Sequence, residues 1–556
     1  MDCENDRDAK AKASQEEKIS LSMRRDASTK EEVTGESTSE TDVVEVDSTP
    51  SSPLKLNTIQ FATLSIAMAL SVLVIAIDES IVATAIPRIT DDFDSLSDVG
   101  WYGSGYLFTL ASFQLTFGKL YRHLSSKYVL LSALLIFELG STVCGSAHSS
   151  NALIVGRVIA GTGASGIVSG VLIIISQVVP IRQRAIYTSS VGAIYGVAAA
   201  VGPLLGGVLT DSYLTWRWCF WINLPLGAAV GAIILFLYHP LPVDRAEKLG
   251  SVGDWVKMLD PLGLALFTGA LVSLILALQI SGVSGWAAPT PIALLVVFVI
   301  LLGLFFAVQA WLQERGTLPP RIARMPQVIF ASAYAYLIDS TYYVVAYFLP
   351  IWFQAVKGIS ARDSGIRLIP IIAAAVLASL VSGVVVSKTG HYALIILLSS
   401  VIAAIGSGLL STMDPGSGAG AWIGYQTLVG IGVGLGMQQA AVVVQNGLDK
   451  RDIPTAISTV TLFQALGSAV MVSITQNVFA ARVYDEVHGI APEVTRGMII
   501  NSGATEIIDL ASSPSEHQIF LSAVSVALTQ GFYVAAAGSA LAGVFGLGMG
   551  FKKLEQ

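Results

Sequence analysis

Five ionisable side chains stand inside runs of apolar residues: Asp78 and Glu79 in IDESIVATAIP (77–87), Glu138 in LLIFELGS (134–141), Arg157 in LIVGRVIAGTGASG (153–166) and Asp339 in FASAYAYLIDSTYYVVAYFLP (330–350). Such groups can pair, bind a cation or exchange a proton. No nucleophile–base pair or metal-ligand cluster accompanies them, so the chemistry they offer is ionic rather than bond-making. Arg157 keeps its proton at any accessible pH and needs an acid or a polar cavity; Glu138, in the segment before it, is available. An ionised Asp78 is costly in its apolar segment and is a candidate for function, whereas Glu79 reads as a cap on that segment's outer end. Asp339 has no basic residue in its own segment and stands among Tyr334, Tyr336, Ser340, Tyr342 and Tyr343. Two readings fit it: a protonation or cation-binding site in a wet cavity, or a neutral acid bonded to a tyrosine.

Amides also interrupt apolar runs. Gln114, Gln438 and Gln464 are candidates for the lining of a cavity, while Gln279 and Gln309 read as formers of structural hydrogen bonds. Gly161, Gly163 and Gly166 spell a G-x-G-x-x-G, but no strand precedes it and its surroundings are apolar, so close helix packing explains it better than a dinucleotide site. The chain contains no G-x-x-x-x-G-K-[ST] phosphate loop. All six histidines fall in or beside loops, and the three cysteines make no disulfide framework, leaving only a Cys144–Cys219 bond open. No cofactor, metal or nucleic-acid partner is expected.

The elements that must hold these side chains are membrane helices. Only 13% of the 556 residues are charged and 53% are hydrophobic, with a mean hydropathy of +0.68; soluble domains carry about 25% charged residues. At about 20 apolar residues per crossing, the chain reads as an all-α integral membrane protein with spans near 58–77, 101–121, 128–147, 152–179, 185–209, 219–238, 261–281, 291–312, 328–349, 366–386, 392–413, 421–444, 457–480 and 532–551. Ile519–Thr529 reads as an interfacial or re-entrant helix. Residues 1–53 hold fourteen acids and seven bases, which leaves 25 of each in the rest of the chain. The acidity therefore belongs to that Ser/Thr-rich leader, which reads as disordered and has no apolar stretch near Met1 like that of a signal peptide. Fifteen Lys and Arg in the loops after even-numbered spans, against four in the short loops on the other side, place both termini in the cytoplasm.

The chain also repeats itself weakly. GKLYRHLSSKYVLL after the second span resembles SGVVVSKTGHYALII after the tenth, and PIRQRAIYTS after the fourth resembles LDKRDIPTAIS after the twelfth. An offset of eight spans predicts two six-helix bundles, 54–240 and 321–551, with a cytoplasmic linker and inserted helix pair at 241–320, a long extracellular loop at 481–518 and a short tail at 552–556.

From Leu56 to Gly550 the chain resembles the major facilitator superfamily, specifically its fourteen-span drug–proton antiporters, and among them the toxin and secondary-metabolite efflux pumps of filamentous fungi. IDESIVATAIP is similar to the family's acidic first-helix motif. LIVGRVIAGTGASG is similar to the fourth-helix motif whose arginine is implicated in proton coupling, with Ala160 where Gln is frequent. AVGPLLGGVLTD (200–211), with Gly202, Pro203, Gly206 and Gly207, matches the core of the fifth-helix motif that marks exporters; Ser189 and Ala198 stand for two further glycines. GKLYRHLSSK (118–127) keeps Gly118, Leu120 and Lys127 but has Arg122 in place of the usual acid and Ser125 in place of a glycine.

The resemblance implies a proton-coupled antiporter that exports small amphipathic organic molecules by alternating access. The proton-coupling candidates are Asp78, Glu138 and Arg157, to which the chain's own pattern adds Asp339. The partners implied are a small-molecule substrate, protons and the lipid bilayer, for a monomeric, multi-pass protein of the plasma membrane or of a vacuolar or vesicular membrane. It is read as a transporter and not an enzyme, and the alternative is a proton-coupled importer of organic solutes or siderophores. From the loop charges, a reporter active only outside the cell and fused after Gln556 is expected to be silent; a strong signal would overturn the topology.

Overall fold

The computed structural model describes residues 57–93, 98–212, 215–238, 258–488, 494–501 and 514–550. The leader 1–53, the tail 552–556 and most of the loop 489–513 lie outside the described residues, and with them the expectation of a disordered leader.

All regular structure among the described residues is helical. The long helices are α1 (Thr58–Phe93), α2 (Val99–His123), α3 (Ser126–Gly145), α4 (Ser150–Val178), α5 (Ile181–Asp211), α6 (Trp218–Leu237), α7 (Pro261–Ser284), α8 (Pro289–Leu312), α9 (Pro326–Lys357), α10 (Ile369–Thr389), α11 (Tyr392–Leu410), α12 (Ala419–Gly436 and Gln439–Gly447), α13 (Ile453–Val487) and α14 (Pro514–Gly548). Thirteen are long and apolar enough to cross a membrane. The fourteenth, α2, has the length with 25 residues but is more polar. Local chemistry sets their ends. Proline occupies the first turn of α7, α8 and α9, where no backbone N–H is missed, and Asp260 caps α7 by accepting from the Gly263 N–H. Gly358 and Gly390 close α9 and α10 in the left-handed conformation.

Three elements differ from the sequence reading. First, α1 does not stop near residue 77 but runs on to Phe93. The hydroxyls of Ser80, Thr84 and Thr90 bond carbonyls of the preceding turn and so need no water. Glu79 is therefore mid-helix and caps nothing. Second, Ile519–Thr529 is neither interfacial nor re-entrant: it is part of the 35-residue α14, with Phe520, Val524 and Leu528 buried and the Thr529 hydroxyl turned back onto the Ser525 carbonyl. Third, α12 is broken at Met437–Gln438. Cys144 and Cys219 are both free and buried.

The packing carries the eightfold offset. Within the first bundle α1 packs on α5 and α6, and α4 on α2 and α3; within the second, α9 packs on α13 and α14, and α12 on α10 and α11. The bundles meet along two seams that exchange under the same offset, α2 with α13 and α5 with α10. The inserted hairpin α7–α8 lies against only one of them, α7 touching both α2 and α13.

The G-x-G-x-x-G stretch is a helix-packing surface. A Cβ on Gly163 would stand 2.3 Å from the Phe137 backbone nitrogen and 2.6 Å from the Ala133 carbonyl of α3, neither of which can move aside without moving the helix. Gly163→Val is accordingly expected to lower the thermal midpoint of the purified protein, by a cost of about 1–3 kcal/mol or more. Gly207→Ala, at a site with open space around it, serves as the comparison and should leave the midpoint unchanged. Equal midpoints for the two variants would refute the packing role.

Candidate functional site

Five helices of the first bundle converge on Arg157. Its Nη1 donates to Asp78 Oδ2 at 2.6 Å, its Nε donates to the Tyr102 carbonyl at 2.9 Å, and its guanidinium lies 4.2 Å from the centre of the Tyr106 ring. The other carboxylate oxygen of Asp78 accepts from Asn223 Nδ2 at 2.8 Å, and that amide also reaches Ser141. Arg157 is 1% exposed and Asp78 0%. The partner of Arg157 is thus Asp78 on α1, not Glu138. Among the described residues neither carboxylate oxygen of Glu138 has a hydrogen-bond partner; its side chain packs against Gly227 of α6.

Glu79, one residue on, points elsewhere. It accepts a hydrogen bond from the Tyr195 hydroxyl of α5 and lines a cavity of about 480 Å³ between the bundles. The exporter-type motif of α5 lies directly behind it. Cβ atoms on Gly202 and Gly206 would collide with Ser80, Ile81 and Thr84 of α1, whereas Gly207 faces open space. Pro203 stands inside α5, and the Ser80 hydroxyl donates to the Ala198 carbonyl across the contact at 3.3 Å. The motif thus holds α5 against the α1 turn that follows Asp78 and Glu79.

From the second bundle, Asp339 lines the same cavity. It is 3% exposed, and its Oδ1 has no hydrogen-bond partner among the described residues. Its side-chain neighbour is the Gln464 amide of α13 rather than a tyrosine; the Tyr334 hydroxyl is engaged with Ser399 at 3.0 Å. The same Gln464 donates to the Met437 carbonyl at 3.1 Å, a group at the break in α12. Gln114, Gln438 and Gln464 all reach the cavity wall, and so does Gln279, which the sequence reading made structural. Gln309 does hold structure: it bonds Asp260 and the Leu318 N–H. Among the described residues, the lining includes the acids Glu79 and Asp339 but no Lys, Arg or His.

Toward the ends that the loop charges assign to the cytoplasm, both seams are shut. Gln114 donates to Thr461 at 2.5 Å and Ser458 to Ser169 at 3.2 Å along one; Ser379 donates to the Ser189 carbonyl at 2.9 Å along the other, where Arg184 also bonds the Gln445 carbonyl of α12 at 2.6 Å. At the rim, Arg122 pairs with Glu314 at 3.0 Å and lies 3.8 Å from Asp452, which Arg321 grips through two bonds of 2.7 and 2.8 Å. Arg122, the departure from the family loop, is thus matched by acids from the end of the inserted hairpin and from the second bundle. The Arg321 guanidinium holds the Asp452 carboxyl below the usual carboxylate range, so this latch stays charged at cytosolic pH.

A sequence model of the Major Facilitator Superfamily matches residues 68–472. The chain is 44% identical over 503 residues to a protein of Penicillium rubens named Efflux pump roqT, covering 90% of this chain and 92% of that one. It is 41% identical over 506 residues to the MFS-type efflux pump MFS1 of Trichophyton rubrum, covering 89% and 92%. Among solved structures it resembles the human organic anion transporter MFSD10, with a TM-score of 0.56 at 13% identity over 86% of this chain and 99% of that one, a likeness of fold alone.

Removing one member of a buried ion pair strands the other and costs about 3–5 kcal/mol. Arg157→Ala is therefore expected to lower the thermal midpoint strongly, and adding Asp78→Ala should recover part of the loss. Losses that simply add would show that the two side chains do not act as a pair.

Proposed function

The chain belongs to the major facilitator superfamily, and from that premise we propose that it is a proton-driven exporter of small amphipathic organic molecules, secondary metabolites among them. The observation that carries this reading is the cavity: it is closed toward the cytoplasmic ends, lined by two acids and several amides, and holds no fixed cation among its described lining residues. We read that arrangement, with the seam bonds at Gln114, Ser379 and Arg184, as the outward-facing state of an alternating-access carrier. The relatives' names, both of efflux pumps, support the direction, as does the packing of Gly202 and Gly206 on α1.

In the proposed cycle, protons from the outside reach Glu79 and Asp339 as substrate leaves. Asp78 and Arg157 tie the state of the adjacent Glu79 to the position of α1. The bundles then rock, the latch at Arg122, Glu314, Arg321 and Asp452 parts, and the acids release protons inward as substrate enters. The energies are compatible. Glu314 and Arg321 are about half exposed while Arg122 and Asp452 are 4% exposed; parting the bundles rehydrates those two charges as it breaks the pairs, which offsets part of the Coulombic loss. One proton moving down one pH unit supplies about 1.4 kcal/mol, enough for a tenfold substrate gradient. Few fixed charges suit amphipathic cargo better than sugars or ions. The same reading assigns it, as a monomer, to the plasma membrane, with a vacuolar or vesicular membrane as the alternative.

The test is uptake of rhodamine 6G into inside-out vesicles with an acidic lumen. Accumulation should require the pH gradient and collapse with a protonophore; accumulation that persists without the gradient refutes proton drive. Asp339→Asn keeps the shape and removes the titration, so it should slow uptake at least tenfold and flatten its dependence on lumenal pH. A wild-type pH profile in that variant would make Asp339 structural.

A further inference from the structure

The two bundle seams are related by the internal repeat, but only the α2–α13 seam is covered by the inserted hairpin. The hairpin is amphipathic as a pair rather than as single helices. α8 turns Val296, Val299, Ile300, Phe306 and Trp311 outward; only 11% of its most apolar window is buried. α7 does the reverse. Leu271, Ile275 and Gln279, spaced four residues apart and so on one helical face, all line the cavity. Leu271 is buried in a cluster with Ala111, Leu115, Phe267, Phe305 and Leu462 that seals α2, α7, α8 and α13 together. Gln279 is exposed within the cavity, and its amide has no protein partner among the described residues.

α7 is also fixed at both ends. At the cytoplasmic end Asp260 accepts from Gln309 at 2.8 Å and from the Thr317 hydroxyl at 2.9 Å. At the outer end Ser281 donates to Asn477 of α13 at 3.1 Å, and Asn477 donates back to the Leu278 carbonyl at 3.1 Å. A helix held this way presents its cavity face in a fixed register and moves with α13.

The lining residues follow the helices. Ser104 on α2 and Gln279 on α7 stand toward the ends that the loop charges assign to the outside; Gln114 and Leu271, which packs with Ala111 and Leu115, stand deeper; Leu107, Phe108 and Ile275 lie between them. The rise from Ser104 to Gln114 is ten residues, about 15 Å, and from Leu271 to Gln279 eight residues, about 12 Å.

We propose that α7 is a wall of the substrate cavity and not a spacer, and that its Leu271–Ile275–Gln279 face sets which molecules are carried, Gln279 binding the outer polar group of an elongated amphipath whose other polar end reaches the deep amides. This rests on the exporter reading of the cavity.

The experiment places single cysteines at Gln279, at Leu107 on the opposing α2 and at Ile300 on the outward face of α8, and treats intact cells with a membrane-impermeant thiol reagent. Gln279→Cys and Leu107→Cys should label and Ile300→Cys should not. In vesicles, Gln279→Leu should keep gradient-driven uptake but change the ratio of kcat/KM for rhodamine 6G and Nile red by about three- to tenfold, the loss of one hydrogen bond to one cargo. Labelling at Leu107 without labelling at Gln279, or an unchanged ratio in Gln279→Leu, overturns the proposal. Labelling at both positions with no gradient-driven uptake of either dye by the wild type would leave α7 as a cavity wall and defeat the exporter reading instead.

Discussion

A guanidinium in the bilayer interior keeps its charge, and the first bundle is arranged around that fact. Arg157 of α4 is satisfied only because α1 brings Asp78, α2 brings the Tyr102 carbonyl and the Tyr106 ring, and α6 brings Asn223 to the far side of the carboxylate. Each of these helices is thereby fixed in rotation as well as position. The consequence for Glu79 is geometric. Adjacent residues on a helix diverge by about 100°, so once Asp78 faces Arg157, Glu79 must face away from it, toward the gap between the bundles. One acid is committed to the interior of the bundle and its neighbour to the cavity.

The contrast between that pair and the latch at the cytoplasmic rim shows how a carrier can be rigid within its bundles and mobile between them. The Asp78–Arg157 pair is sealed from solvent, and separating it would expose both charges to an apolar interior at a cost of several kcal/mol. The bonds that close the seams are of a different kind: single serine and glutamine contacts, one bond from Arg184 to a backbone carbonyl, and ion pairs whose outer members are half in water. Each is one group against another across a seam that water can enter, rather than a pair enclosed on all sides. In the proposed cycle motion would therefore be confined to the seams, and the α5 motif, which packs α5 on α1 through Gly202 and Gly206, would make one seam helix travel with the acid-bearing helix.

Much of this was legible in the sequence where the signal was local. Run length marked the crossings; the offset of eight spans between the loop motifs is also the offset that relates the α2–α13 contact to the α5–α10 contact, and the isolated amides Gln114, Gln438 and Gln464 are among the residues that line the cavity. What was not legible depended on long-range partners. Arg157 and Asp78 are 79 residues apart, and Glu138 was nearer in sequence but faces Gly227. The continuity of α1 and α14 was hidden because hydroxyl-bearing residues look like helix ends until their bonds to the preceding turn are counted. The break in α12 follows a glycine-rich run ending at Gly436 and is supported by Gln464 from another helix, which composition alone cannot show. α7 was misjudged for a similar reason: it is apolar nearly all round, so nothing in its own pattern says that the Gln279 side meets a cavity.

The lining explains how one cavity can serve cargo of varied structure. A carboxamide both donates and accepts, so Gln279, exposed in the cavity, can adapt to a ligand by rotating, where a fixed charge would demand its opposite; Gln114 and Gln464 are held by Thr461 and by the Met437 carbonyl in this state. An amide left without a ligand partner in an open cavity also meets water, so a poorly fitting molecule loses little. Glu79 and Asp339 differ from the amides in having two charge states. When both carry protons they become donor–acceptor groups like their neighbours, and the cavity is then uncharged throughout its described lining. In the proposed exporter, protonation would change the cavity from one that favours cationic and hydrogen-bond-donating groups to one that holds them less well, and so would couple proton entry to cargo release through the same two side chains.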